Sequence, residues 1–318
     1  MKRVRLGKTD LDVTPVGLGC WQFSSGFGSG KGYWSPVAQE TVNEIVAKAL
    51  AGGINWFDTA EAYGGGRSEE ALSRALQAAG VEPGEVRVAT KWNPIFRTAA
   101  SIGATIDERV RRLSPFPIDL HQVHQPMGFS SVEAEMRAMA ALVEQKKIGA
   151  VGVSNFNEPR MRRAHAELQR LGLPLASNQV HYSLLHRKIE RNGVLQAAKE
   201  IGITIIAYSP LAQGVLTGRF HDEPGSVKQI HGPRKFRGPF RRLERSRPLI
   251  NQLQAIARAH GGTPAQVALA WLTQFHGDTV VVIPGATKAR QIEDNVASLQ
   301  LTLSRAELDA IDARARDF

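Results

Sequence analysis

Eight short apolar runs recur along the chain, and their spacing limits the possible folds more than any other feature. They are Val16–Leu18, Ile54–Phe57, Val86–Ala89, Ile118–Val123, Ala150–Val153, Leu175–Val180, Ile203–Ala207 and Thr279–Ile283. Most lie about thirty residues apart, enough for a strand, a crossover helix and two loops. Helical patterns stand between them. Val42, Ile45, Val46, Ala49 and Leu50 recur at helical spacing, as do Ile102, Ile106, Val110 and Leu113. Val132, Met136, Met139, Ala140 and Val143 form another stripe, and Met161, Ala164, Leu168 and Leu171 a fourth. Val194, Ala198 and Ile201 supply a weaker one. Core packing accounts for all of these stripes.

Strands that alternate with helices call for a parallel sheet with crossovers. Eight such units in 318 residues fit a closed (β/α)8 TIM barrel better than an open doubly wound sheet. Apolar runs of this kind suit strands covered by helices on one face and by a packed interior on the other. A dinucleotide-binding sheet would need Gly-x-Gly-x-x-Gly between its first strand and helix. Gly26, Gly28, Gly30 and Gly32 lack that spacing and are expected to form a loop. Residues 3–15, around Gly7-Lys8-Thr9-Asp10, are expected to form a β-hairpin. The predicted α/β fold is therefore one barrel domain over residues 1–318, with an N-terminal hairpin and a long loop after strand seven.

That loop, roughly 210–247, is rich in Gly, Pro and Arg. Irregular segments of this length in compact domains usually serve function or are disordered. Two helices are expected after it, one around Leu249–Ala259 and one opened by Thr263-Pro264. A last helix begins at the capping-box pattern Ser304-Arg305-Ala306-Glu307. The net charge of +10 is concentrated in the loop. Lys228–Arg247 holds eight Lys or Arg and one acid, Glu244, so this stretch carries +7 and the remainder +3. Such charge suits a phosphorylated small molecule. No recognised nucleic-acid module accompanies it, so no nucleic-acid partner is expected. Cys20 is the only cysteine, which excludes an internal disulfide and fits a reducing cytoplasm. The sequence contains no transmembrane-length apolar run and no secretory h-region behind Met1-Lys2-Arg3. Motifs for a nucleophile elbow, a Walker loop and a zinc framework all fail.

In a barrel of this type the active site lies at the C-terminal mouth of the strands. The second run ends in Asp58, with Tyr63 on the following loop; the third leads into Lys91 and the fourth into His124. The fifth ends at Ser154-Asn155, the sixth contains Asn178-Gln179, and the seventh leads into Tyr208-Ser209-Pro210. Any one of these alone has a bland reading as a cap, a solvated charge or a core residue. Lys and Asp almost never enter an interior unless paired, and here they can pair with each other. A phenol titrates near pH 10, and a neighbouring ammonium is expected to lower that value. With a histidine to position a carbonyl oxygen, the set would protonate that oxygen while hydride reaches the carbon.

Asp58, Tyr63, Lys91 and His124, in that order, resemble the catalytic tetrad of the aldo-keto reductase superfamily. Gly17-Leu18-Gly19-Cys20-Trp21, Phe57-Asp58-Thr59-Ala60, Gly152-Val153-Ser154-Asn155-Phe156, Tyr208-Ser209-Pro210-Leu211, Gly214-Val215-Leu216-Thr217-Gly218 and Ile283-Pro284-Gly285-Ala286 resemble its other motifs. The resemblance covers essentially the whole chain. It implies an NADPH-dependent carbonyl reductase with Tyr63 as proton donor and a small-molecule carbonyl substrate. It implies that Ser154, Asn155 and Gln179 bind the nicotinamide carboxamide, that Tyr208 stacks on the ring, and that Trp21 lies against the cofactor. Ser209, Pro210, Leu211, Gln213, Gly214 and Arg219 would follow the pyrophosphate and a phosphate. Pro284, Gly285, Ala286, Thr287, Lys288, Gln291 and Asn295 would surround the adenosine half. Many relatives carry arginine where Gln291 stands, so Lys288 and Arg290 are expected to supply the charge that selects NADPH over NADH. The substrate pocket is expected from Trp21, Trp34, Trp92, Asn93, the stretch after His124 and the 210–247 loop. A second implied reading is a nicotinamide-binding regulatory or redox-sensing subunit, as in the potassium-channel β subunits. The carbonyl compound and the oligomeric state are left open.

Overall fold

The computed structural model describes residues 2–24, 26, 35–230, 238–316 and 318. The chain begins with an antiparallel pair, β1 (Val4–Arg5) and β2 (Asp12–Val13), with Val4 opposite Val13. This is the expected hairpin, and it closes one end of a barrel. Its turn residue Gly7 has φ +58°, and a Cβ there would come within 2.7 Å of the Ala176 carbonyl oxygen, so only glycine lets the turn press so closely.

The barrel strands and helices then alternate. β3 (Leu18–Gly19), α1 (Gln39–Ala51), β4 (Trp56–Asp58), α2 (Arg67–Ala78), β5 (Arg87–Trp92) and α3 (Ala100–Leu113) form the first part. β6 (Leu120–Val123), α4 (Val132–Glu144), β7 (Ala150–Ser154), α5 (Glu158–Arg170) and β8 (Leu175–His181) follow. A short α6 (Lys188–Arg191) precedes α7 (Val194–Ile201) and β9 (Thr204–Tyr208). After the loop come α8 (Arg219–Asp222), α9 (Arg247–Ala259), α10 (Pro264–Gln274), β10 (Val280–Ile283), α11 (Ala289–Ala297) and α12 (Arg305–Ala315).

β3 to β10 pair in chain order, every neighbour parallel. Parallel bridges Val16–Val282 and Gly19–Gly285 join the first strand to the last and complete the (β/α)8 barrel. Gly19 is required at this seam, because a Cβ would meet the Ile283 carbonyl oxygen at 2.8 Å.

Most stripe residues bury, among them Val42, Ile45, Val46 and Ala49 on α1 and Val132, Met136 and Met139 on α4, but Val110 and Leu171 are exposed, and on α3 Arg109 is buried in place of its neighbour Val110. Helix α2 has no such stripe in the sequence. Its buried face is Ser68, Ala71, Leu72, Ser73, Ala75 and Leu76, mostly too small to register as a periodic apolar pattern. Capping boxes form at Thr263 and Ser304, with Gln266 and Glu307, the third residue of each helix, reaching back. The loop after β9 is more ordered than its composition suggests. Residues 212–217, 224–229 and 238–246 form tight helical turns around α8. The core of the 228–247 basic stretch, residues 231–237, lies outside the described residues.

Candidate active site

Successive residues on one face of a strand are two apart, and the barrel interior changes character over that step. Trp56, Ala89, Leu120 and Ile206 belong to an apolar layer packed on the hairpin. Two residues further along the same strands stand Asp58, Lys91, Gln122 and Tyr208. Asp58 and Lys91 are both buried and form an ion pair, in which Lys91 Nζ donates to Asp58 Oδ1. The second carboxylate oxygen accepts from Gln122 Nε2 at 3.0 Å and from Gln179 Nε2 at 2.8 Å. Lys91 also donates to the Thr59 carbonyl at 2.8 Å. A buried pair persists only when its remaining hydrogen-bonding capacity is met, and four strands contribute to meeting it here.

The turn after β4 brings Tyr63 over this pair. Three left-handed glycines, Gly64, Gly65 and Gly66, turn the chain, and a Cβ on Gly64 would meet the Ser24 carbonyl oxygen at 2.7 Å. The Tyr63 hydroxyl lies 3.5 Å from Lys91 Nζ. The His124 ring stands edge-on to Tyr63, with centroids 5.5 Å apart. All four tetrad residues predicted from the sequence therefore meet at the barrel mouth.

Two supporting residues were not legible in the sequence. Gln122 sits beside His121 in the fourth run and carried no motif. Glu61, between Asp58 and Tyr63, accepts from the Asn93 amide, from Arg97 at 2.8 Å and from the buried Arg109. It ties the Tyr63 turn to the loop after β5. A Glu two residues before the phenol is the only sequence signal, and its partner lies 48 residues away.

Burial pushes the Tyr63 phenol above the usual tyrosine range, and Lys91 only partly opposes it. This corrects the expectation of a lowered value, because desolvation of the phenolate outweighs the ammonium. Burial also disfavours the Lys91 charge, yet Asp58 and then Tyr63 hold its pKa above the ordinary lysine value. His124 is lowered to about 3, first by burial and then by Lys91, so its imidazole is neutral at pH 7. At neutrality the site holds a protonated phenol, an ammonium beside it and a neutral imidazole.

These groups open onto a cavity of about 710 Å³. Asp58, Tyr63 and His124 line it, while Lys91 lies behind them with no exposed surface. Of the residues expected at a cofactor, Trp21, Ser154, Gln179, Tyr208, Ser209, Pro210, Leu211, Gln213 and Gly214 line it. Pro284, Gly285, Ala286, Thr287, Gln291 and Asn295 line it as well. Asn155, Arg219 and Lys288 do not. Asn155, at φ +60°, accepts from the Tyr208 hydroxyl at 3.0 Å and donates to the His124 carbonyl at 3.3 Å. Gln291 Oε1 accepts from the Thr287 and Lys288 amides and so caps α11. Lys288 and Arg290 are exposed beside it. Asn93 lines the cavity, but Trp92 does not. Its ring is fully buried in the core and donates to Ser101 Oγ at 3.1 Å, because the strand's alternation turns it away from Lys91's side. Trp34 lies outside the described residues.

The cavity suits a large polar ligand. Asn295 Nδ2 and Gln22 Oε1 are buried at its wall without a hydrogen-bond partner, which a ligand would satisfy. Ser209, Ala212 and Gln213 all hold left-handed φ in the loop after β9. Backbone strain of this kind gathers at ligand sites, where turned amides can face an anion.

A (β/α)8 barrel with a buried Asp–Lys pair, a phenol and an imidazole at its mouth defines an oxidoreductase that acts on carbonyl and alcohol groups. The family model described as the aldo/keto reductase family matches residues 15–316. The chain belongs to the aldo/keto reductase family, whose members use nicotinamide cofactors. It is 42% identical over 308 residues to an uncharacterized oxidoreductase of Mycobacterium tuberculosis, covering 96% of this chain and 90% of that one. It is 29% identical to a probable aldo-keto reductase of Glycine max, over 97% and 87% of the two chains. Among solved structures it resembles the glycerol dehydrogenase of Gluconobacter oxydans, with TM-score 0.80, 28% identity and coverage of 98% and 94%. It also resembles a thermostable aldo-keto reductase in complex with the inhibitor epalrestat, with TM-score 0.78, 26% identity and coverage of 99% and 100%. Among the described residues no helix is long and apolar enough to cross a membrane, and no group of three or more His, Cys, Asp or Glu is placed to hold a metal ion.

Proposed function

We propose that the chain reduces aldehydes or ketones to alcohols with NADPH, and that Tyr63 gives the proton to the carbonyl oxygen. The hydride in this chemistry comes from the bound reduced nicotinamide. The observation that carries the reading is the position of the Tyr63 hydroxyl, 3.5 Å from a lysine that is itself held by a buried carboxylate. As the proton leaves Tyr63, the phenolate forms beside the Lys91 ammonium, which lowers the cost of that charge. Asp58, braced by Gln122 and Gln179, keeps Lys91 charged and aimed. His124, neutral at pH 7, donates a hydrogen bond that orients the carbonyl without competing as a proton source. Ser154, Gln179 and Tyr208 would hold the nicotinamide end, with Asn155 bracing Tyr208, and residues 284–295 the adenosine end. The exposed cations Lys288 and Arg290 at the start of α11 support NADPH over NADH.

The loops after Lys91 and after His124 support a substrate class. Phe96, Phe129, Met127 and Ile95 are the four most exposed large apolar side chains among the described residues, from 84% to 41%. They lie on the two loops that follow Lys91 and precede α4, and Phe96 and Phe129 approach within 6.4 Å between centroids. Ile95 lines the cavity, and exposed apolar side chains on the loops either side of it favour carbonyl compounds with aromatic or alkyl substituents over sugars. The test is a panel of aromatic aldehydes, alkyl ketones and aldoses assayed with NADPH and NADH by nicotinamide absorbance. Higher kcat/KM for the apolar aldehydes with NADPH is expected. Binding of NADPH with no turnover on any member would sink the reductase reading.

A further inference from the structure

Tyr208 is one end of a stack of three rings. The His181 ring lies nearly parallel to it, at 5.3 Å between centroids and 10° between planes. The His186 ring then covers His181 at 4.0 Å and 12°. Local sequence explains each member. β8 and β9 are parallel neighbours in which His181 stands in register with Tyr208. His181 is two residues beyond Gln179, so strand alternation puts it on the same face as the group that braces Asp58. A tight turn returns His186 over it, with the His186 amide donating to the Ser183 carbonyl at 3.0 Å and the Ser183 amide donating back at 3.3 Å. Tyr208 lines the cavity, and neither histidine does. One face of the phenol is therefore taken by His181, and the other is left to the cavity.

We propose that His181, backed by His186, is a positioning residue that fixes the plane of Tyr208 and thereby sets how tightly the nicotinamide ring is held. The inference rests on the reading of Tyr208 as the surface against which the nicotinamide packs. The ring plane matters because offset parallel stacking is directional, and a face that rocks gives less contact. The far end of Tyr208 is tied as well, by its hydroxyl to Asn155 Oδ1, and Asn155 in turn reaches the His124 carbonyl. Tyr208 is thus held at its hydroxyl and across one face, and the same contacts lead to the residue that orients the substrate. Burial, and secondarily His186, lowers His181 to about 4, so at neutral pH the stack brings no charge toward the nicotinamide.

The experiment compares NADP+ with 2′-phospho-ADP-ribose, which lacks the nicotinamide, by fluorescence titration at pH 7. His181→Leu fills similar space without a plane; His181→Phe restores the plane without a titrating nitrogen. We expect His181→Leu to weaken NADP+ about three- to tenfold, leave 2′-phospho-ADP-ribose unchanged, and His181→Phe to return NADP+ to the parent value. Unchanged NADP+ binding in His181→Leu, equal weakening of both ligands, or no recovery in His181→Phe would overturn the proposal. Tyr208→Leu separates the two layers of inference. If it leaves the difference between the two ligands intact, the assignment of Tyr208 to the nicotinamide is itself wrong. If thermal melting shows His181→Leu unfolded, His186→Leu tests the stack from its outer end. It should weaken NADP+ alone by about two- to threefold, and no change there rejects the stack.

Discussion

The barrel interior has two layers that differ by one step along the same strands. In the lower layer Trp56, Leu120, Ile206 and Val281 pack on Val4, Leu6 and Val13 of the hairpin, and Trp56 Nε1 donates to the Thr14 carbonyl at 2.8 Å. In the upper layer Asp58, Lys91, Gln122 and Gln179 are equally buried, and each polar group is met by another. The lower layer is held by apolar area and shape. The upper layer is held by mutual satisfaction, so removing one member leaves another stranded. The same scaffold thus gives stability at one end and a charged, water-poor site at the other.

Substitutions in each layer should therefore fail in different ways. Lys91→Met should have the largest effect. It leaves the Asp58 carboxylate buried without its cation, which is expected to lower stability by about 3–5 kcal/mol in denaturant unfolding and to reduce kcat by on the order of a thousandfold. Trp56→Ala should cost a similar ~3–5 kcal/mol through a cavity, yet the molecules that remain folded should turn over at the parent rate. A large loss of kcat per folded molecule in Trp56→Ala would erase the distinction between the layers.

A third buried acid sharpens the contrast. Glu69 on α2 faces away from the barrel interior, accepting from Thr90 Oγ1 at 2.6 Å, while the nearest cation, Arg112, stands 3.6 Å from its other oxygen. Burial therefore raises it to about 7. The folded state holds this proton more tightly than the unfolded state does. The Glu69 contribution to stability should accordingly be greatest below the ordinary glutamate value, fall as pH rises from about 4.5 through about 7, and level off above. Glu69→Gln should remove on the order of 2–3 kcal/mol of that decline, measured as urea midpoints at pH 5 and pH 8. An unchanged slope would show that Glu69 is not the group responsible. Smaller again, Gln122→Leu withdraws one of two amides from Asp58 Oδ2 and should cost about 1.5–3 kcal/mol, with Gln179 retaining the other contact. A variant as stable as the parent would show that Gln179 suffices.

The sequence carried the barrel because its strands are apolar runs and most helices show periodic stripes. It failed at α2, whose buried face has only Leu72 and Leu76 as large apolar residues, the rest being Ala, Ser and Glu69, so no apolar stripe stood out. The tetrad was legible because each member stands at a strand end or on the loop that follows, where a charged or ionisable side chain contrasts with what precedes it. Gln122 was hidden because it stands with Asp119 and His121 in the fourth run, where nothing marks which polar residue faces the barrel interior. Glu61 was hidden because its meaning depends on Arg109, which only the packing of α3 brings near. Trp92 was misplaced because adjacency to Lys91 in sequence puts it on the opposite face of the strand. The direction of the Tyr63 shift was also missed, since the cost of burial cannot be weighed against an ammonium until both are placed.

The central claim is that Tyr63 is the proton donor for a nicotinamide-linked reduction. The most direct measurement is single-turnover reduction of an apolar aldehyde by Tyr63→Phe, alongside its NADPH dissociation constant. The variant keeps the ring beside His124 and loses only the hydroxyl. The account predicts parent-like NADPH binding with the reduction slowed by about 10²–10⁴-fold. Reduction at the parent rate would contradict it.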